Sequence, residues 1–196
     1  MKYEAKNFDS LLGLKGFSDN ALKTHFALYQ GYVNNTNKLR EELQSLSKEG
    51  KLDSVEHAEL KRRLGWEFNG MRLHEYYFEG LTKEHKPLSE SSALRKKIEK
   101  DFGSYEEWEK MFRAVAAQRG IGWAILYYDT RGDQLLDVWI NEHDTGHLSG
   151  CVPLLNMDVF EHAFMLDYGT KKADYIEAFM NAVNWDVVSE RLKQAK

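Results

Sequence analysis

From Ser18 to Leu81 apolar residues return every three or four positions, the spacing that covers one face of a helix and that a strand does not satisfy. Ser18, Asp19 and Asn20 supply a helix start, and Ala21, Leu22, His25, Leu28, Tyr29 and Tyr32 follow on one stripe. The pattern runs on through Leu39 and Leu43 and breaks near Gly50. A second helix is predicted from Ser54 to Leu81, with Leu60, Leu64, Met71, Phe78 and Leu81 as its apolar contacts. Gly70 lies inside it and needs a reason, because an interior glycine costs roughly 1 kcal/mol relative to alanine.

The texture then changes. Thr82 to Ser92, with Pro87, reads as a linker, and Ala93–Phe102 and Tyr105–Arg119 read as helices split by Gly103-Ser104. Gly122–Asp129 and Gln134–Ile140 are β-type runs joined by a turn carrying Arg131-Gly132-Asp133. Val152–Met157 reads as a third strand, with Pro153 near its start, where a missing donor is tolerated. Ala173–Lys193 returns to helix. The expectation is an α+β protein: an N-terminal helical hairpin domain (residues 1–86) packed on a C-terminal domain (residues 87–196) of helices around a small antiparallel sheet of about three strands.

Composition narrows the function. With 42% hydrophobic residues the chain builds a real core, and a formal charge of −4 argues against a general nucleic-acid binder. A single cysteine, Cys151, forms no internal disulfide and reads as a small buried residue or strand-edge thiol. No apolar run approaches the ~18 residues of a membrane span, and Met1 to Gly16 lack a signal-peptide core. The expected setting is the cytoplasm, with no membrane or nucleic-acid partner.

The most specific local feature is Asp158-Val159-Phe160-Glu161-His162, where a strand gives way to a helix. A carboxylate leaving the strand and an imidazole four residues on converge if the backbone turns there. Such a pair suits borderline or hard metals, iron and manganese among them. A helix-capping aspartate with an interface histidine explains the same residues, and local sequence leaves the two readings level. His25 and His74 each sit on an apolar helical stripe, where a hydrogen-bonded core histidine is the ordinary reading. Together with Asp158 and His162 they sketch a buried site of three imidazoles and one carboxylate, at the seam of the two domains. Periodicity places each on a buried face without making them meet.

The stretch around Asp158 resembles the signature of the iron/manganese superoxide dismutase family. Val152-Pro153-Leu154-Leu155, Gly103-Ser104-Tyr105, Gly120-Ile121-Gly122-Trp123 and Val183-Asn184-Trp185 resemble further family motifs in the same order. The likeness is collinear from about Gly103 to Leu192 and patchier before. It implies a redox enzyme that converts superoxide to oxygen and hydrogen peroxide on one iron or manganese ion, working as a homodimer or homotetramer. His25, His74, Asp158 and His162 match the metal ligands and Tyr32 the entrance tyrosine. Trp123 matches a tryptophan walling the site. His143 falls where relatives place a glutamine or histidine bonded towards metal-bound solvent, and Gly70, where other relatives keep that glutamine, would give His143 room to reach in. Glu161 matches a residue that bonds the partner subunit's ligand histidine. Trp185 reads as core, and His57, His85 and His147 as surface histidines. Arg72, Lys171 and Lys172 are the basic residues considered for steering the anion.

The departures gather at the entrance. His25 to Tyr32 spans seven residues, where relatives usually take eight; in a regular helix seven residues are nearly two turns and put both side chains on one face. Leu28 or Tyr29, and Met165, stand where relatives pair a histidine with a partner subunit's tyrosine; if Leu28 is the match, both ends are apolar. Phe78 and Phe160 stand where tryptophans are common. The alternatives are a non-catalytic relative serving as a structural or interaction protein, and a metalloenzyme on this scaffold with another redox substrate.

Overall fold

The computed structural model describes residues 2–196. Helices α1 (Asp19–Lys48) and α2 (Val55–Glu79) pair as an antiparallel hairpin. Each begins at a serine whose hydroxyl accepts a backbone N–H of the first turn, Ser18 from Ala21 and Ser54 from His57, relieving donors that have no partner within the helix. After an irregular connection come α3 (Ala93–Phe102) and α4 (Tyr105–Ala116), capped in the same way by Ser92 and Ser104. Helix α4 stops three residues short of the predicted Arg119: Gln118 folds back onto the Val115 carbonyl and the chain turns into the sheet.

Strands β1 (Gly122–Asp129), β2 (Gln134–Asn141) and β3 (Cys151–Asp158) form an antiparallel sheet in the order β2-β1-β3. The central β1 is buried from Gly122 to Tyr128, because helices cover it, and this explains its near-continuous apolar run. On the edge strand β3 the pairing shifts: Leu126 faces Leu155, but Tyr127 faces Pro153. Leu154 is therefore the extra residue of a bulge, and the proline's missing donor costs little at this edge. Gly122, at φ 137°, could not carry a side chain, since a Cβ would lie 2.0 Å from the Ile140 carbonyl oxygen. Its own carbonyl accepts the Val159 N–H at 2.9 Å, which ties the start of β1 to the residue after Asp158.

Helices α5 (Glu161–Tyr168), α6 (Lys172–Met180) and α7 (Trp185–Ala195) complete the chain. The helical stretch expected over Ala173–Lys193 is made of two helices. Between them Ala182 accepts the Thr82 N–H, Asn184 donates to the Gly80 carbonyl, and Val183 bridges Leu81. These contacts lock the end of α2 to the C-terminal region, and Asn184 then caps α7. Trp185 packs edge-on against Tyr105 and Trp108, a core residue as expected. Cys151 opens edge strand β3, partly buried and without a disulfide partner.

Candidate metal centre

Four side chains from four elements converge. Asp158 ends β3, and its carbonyl accepts from the Tyr175 hydroxyl at 2.6 Å. One carboxylate oxygen, Oδ1, accepts the Phe160 N–H at 2.9 Å, which turns the chain into α5 and swings His162 back over the strand end. His25 comes from α1 and His74 from α2. Their ligand-type atoms lie within 4.8 Å of one another, and among the described residues this is the sole such group. The second carboxylate oxygen, Asp158 Oδ2, is 3.1 Å from His25 Nε2, 3.1 Å from His162 Nε2 and 3.6 Å from His74 Nε2.

The orientation of His74 shows what this arrangement is for. Its Nδ1 is 2.5 Å from the Gly70 carbonyl oxygen, which can only accept, so the proton is on Nδ1. Nε2 therefore turns a lone pair towards a carboxylate oxygen, in a side chain with no solvent exposure and with no hydrogen-bond partner for that nitrogen. Two electron-rich atoms facing each other in a dry interior repel unless a cation sits between them. Atoms each about 2.1 Å from a common ion lie roughly 3–4 Å apart, the spacing found here. The protonation states of His25, His74 and Asp158 agree. Burial, then the charge of His25, hold the His74 imidazole well below its ordinary value, and burial also lowers His25. Burial opposes ionisation of Asp158, but the charge and hydrogen bond of His162, with His25, overcome it and hold the carboxyl well below the usual range. Burial lowers the His162 imidazole, but the charge and hydrogen bond of Asp158 raise it on balance, so a bound ion would displace its proton to complete a donor set of one carboxylate and three imidazoles suited to iron or manganese.

A second group of residues closes over this one. The register pairs Trp123 with Asp158 across the sheet. The Trp123 indole N–H donates to His143 Nδ1 at 3.1 Å. An indole can only donate, so His143 carries its proton on Nε2 and donates it to the Tyr32 hydroxyl oxygen, 2.8 Å away. Burial lowers the His143 pKa to about 4, keeping the ring neutral, and raises that of Tyr32 to about 12, with the charges of Asp158 and Glu67 adding to the effect. Helix α1 is regular throughout, and His25 and Tyr32 both contact the His74 ring, at centroid distances of 5.0 and 5.2 Å. The shorter spacing thus straightens the helix and leaves the site intact. Phe160 stacks on His143 and His162, and Phe78 meets the His25 ring edge-on.

Gly70 makes room for Tyr32: a Cβ at residue 70 would lie 2.5 Å from the Tyr32 ring. His147 is no solvated loop residue, because it is half-buried with both ring nitrogens bonded, one to Tyr127 and one to the His143 carbonyl. His57 and His85 are half-buried too, and His85 Nδ1 bonds the Val183 carbonyl. Two of the basic residues expected to steer the anion are occupied elsewhere: Arg72 pairs with Glu75, and Lys172 caps the Gln118 carbonyl.

Sequence reading missed Trp66. It packs against Tyr32 and His143 at 5.4 and 4.6 Å, donates to Glu142 Oε2 at 3.3 Å, and carries Arg63 over its ring at 3.8 Å. Trp66, one helical turn before Gly70 on a partly polar stretch, gave a signal only of a half-buried face. Asn156 was also missed; it is buried two residues before Asp158, with neither amide atom bonded.

Residues 90–191 match the family model described as iron/manganese superoxide dismutases, C-terminal domain. The chain belongs to the iron/manganese superoxide dismutase family. It is 37% identical over 199 residues to the superoxide dismutase [Fe] of Aquifex pyrophilus, covering 99% of this chain and 92% of that protein. The superoxide dismutase [Mn] 2 of Haloferax volcanii is 37% identical over 171 residues, 87% of this chain and 84% of its own length. The superoxide dismutase [Fe] of Saccharolobus solfataricus is 35% identical over 170 residues, 85% of this chain and 80% of its own. Relatives of both metal types match 85% of the chain or more.

Proposed function

We propose that this protein is a superoxide dismutase that binds one iron or manganese ion through His25, His74, Asp158 and His162. The observation that carries the reading is the unpartnered His74 Nε2, buried and aimed at the Asp158 carboxylate. When bound, the ion supplies the one-electron exchange by which one superoxide is oxidised to dioxygen and another is reduced to hydrogen peroxide. The chain supplies the rest. Asp158 stays ionised and brings the negative charge that a trivalent ion needs. The Gly70 carbonyl fixes the His74 tautomer, so a lone pair always faces the ion.

Peroxide leaves with two protons, so the site needs a placed donor. Tyr32 has that role. Its oxygen already accepts from His143, which leaves its own hydrogen free to point into the site, and its raised pKa keeps that hydrogen in place at neutral pH. His143 orients Tyr32, and Trp123 fixes His143 in the tautomer that can do so. Phe78, Phe160 and Trp123 keep bulk water from the ion.

A homodimer fits the exposed surface. Glu161 is exposed at the start of α5, beside the partly exposed His162, and is free to reach a partner's histidine. Leu28 on α1 and Met165 on α5, 38% and 44% exposed, give this packed helix pair an apolar face with no polar remnant to bury. A cytoplasmic setting suits a chain whose single cysteine needs no oxidising compartment.

The test is superoxide turnover by protein reconstituted separately with iron and with manganese, normalised to bound metal. Rapid turnover with at least one ion is expected. Stoichiometric binding without turnover moves the search to another redox substrate, and failure to bind either ion favours a non-catalytic relative.

A further inference from the structure

His143 reaches Tyr32 from a short loop, not from a helix or strand. Asn141 and Thr145 close that loop with a pair of backbone hydrogen bonds of 3.1 and 3.3 Å, and Glu142 adopts a left-handed φ of 56° inside it. Such a loop fixes its own ends but not the tilt of the peptide that carries His143. The tilt is set from outside. His147 Nε2 lies 2.8 Å from the His143 carbonyl oxygen, and a carbonyl can only accept, so the His147 proton is on Nε2. Its Nδ1 is then a bare acceptor and takes the Tyr127 hydroxyl proton at 2.6 Å. Tyr127 stands on the buried central strand β1 and does not move with the loop.

We propose that His147 is a positioning residue for the reaction: held by Tyr127 in one tautomer, it grips the His143 carbonyl and so aims the His143 N–H at Tyr32. The chain of bonds has a direction at every step: Tyr127 donates to His147, His147 donates to the His143 carbonyl, and His143 donates to Tyr32. The last bond leaves the Tyr32 hydrogen for the site. The inference rests on the dismutase reading above, because it explains how the proton donor of that reaction is oriented. A displacement of about 1 Å at a reacting group can cost on the order of 100-fold in rate, so a lost grip is visible in turnover.

Two amide variants separate this role from plain packing. Glutamine places an N–H near the position of Nε2 and can still grip the carbonyl; asparagine reaches only the position of Nδ1. His147→Gln is expected to hold turnover within about 3-fold of wild type, while His147→Asn loses roughly 10-fold or more in kcat with KM and bound metal unchanged. Crystal structures of both variants give a readout independent of turnover: the His143–Tyr32 bond persists in the Gln variant and is broken in the Asn variant. Equal kcat in the two variants, high or low, overturns the proposal, and so does an intact His143–Tyr32 bond in His147→Asn. If either amide variant fails to fold, Tyr127→Phe decides: it removes the anchor on Nδ1 that holds the His147 ring against the His143 carbonyl, and a wild-type kcat with an unmoved His143 overturns the inference. Absence of turnover in the wild-type protein is a different result, which sinks the dismutase reading itself.

Discussion

The four-ligand cluster and the gateway above it are both buried and share Tyr32's helix, but they are built differently. Each ligand hangs on a long regular element or on the turn that ends one: α1, α2, the end of β3 and the start of α5. The gateway depends on a loop. His143 sits between Asn141 and Thr145, and its place is set by Trp123, Trp66 and His147 from three directions. The contrast teaches that the ion's donors are fixed by the fold itself, whereas the proton donor is fixed by a network that single substitutions can loosen. Metal content and turnover should therefore separate.

The largest effect is expected at the cluster. His74→Ala removes a ligand and leaves Asp158 short of a partner, so metal affinity should fall 1,000-fold or more and turnover with it, read as metal per chain after dialysis. Tyr32→Phe, in the gateway, should keep one metal per chain and lose about 10-fold in turnover. Equal metal loss in both variants would break the distinction.

A third buried region calibrates what burial alone does. Asp137 on β2 has one partner, the Trp108 indole N–H at 3.1 Å, and its other carboxylate oxygen is buried without any. With no imidazole or cation beside it, burial raises its carboxyl to about 7 from an ordinary 3.8. A raised folded-state pKa favours the folded form fully below the unfolded value and loses that advantage as pH rises through the folded one. The contribution of Asp137 should thus decline between about pH 4 and pH 7, by roughly 2–4 kcal/mol. Denaturant unfolding of wild type and Asp137→Asn across that range checks it: the difference between the two should shift in favour of the variant as pH rises.

Gly70→Ala probes the join between cluster and gateway. The new methyl meets the Tyr32 ring at 2.5 Å, so either the ring or α2 must move, at a cost of about 1–3 kcal/mol in stability and a loss of turnover with metal retained. The smallest effect is expected for Trp66→Phe, which keeps the ring against Tyr32 and His143 but loses the bond to Glu142. A few-fold drop in kcat at unchanged metal content is the predicted result, about 1 kcal/mol in the barrier.

The same contrast accounts for what the sequence made legible. The helix starts at Ser18, Ser54, Ser92 and Ser104 were readable because a serine before a periodic stripe has one physical use. Strand β1 matched its predicted bounds because a buried apolar run closed by a polar turn has few alternatives. His25, His74, Asp158 and His162 were readable as candidates, since each sits on a regular face or a marked strand end, although only the fold brings them together. The gateway was less legible for a physical reason. Residues 141–150 carry no periodicity, so nothing local says that His147 turns inwards or that Trp66, far back on α2, meets His143. Gly70 was flagged as needing a reason, but which side chain used the space depended on the approach of α1. The break between α6 and α7 was hidden too, because Ala182, Val183 and Asn184 are held by Thr82, Leu81 and Gly80, far away along the chain.

The most direct test of the central claim is anomalous diffraction from crystals of the reconstituted protein at the iron and manganese absorption edges. One peak per chain is predicted, within bonding distance of His74 Nε2, Asp158 Oδ2, His25 Nε2 and His162 Nε2, with His143 still bonded to Tyr32. A peak elsewhere, or one bound through His143 with His74 Nε2 left bare, would contradict the account.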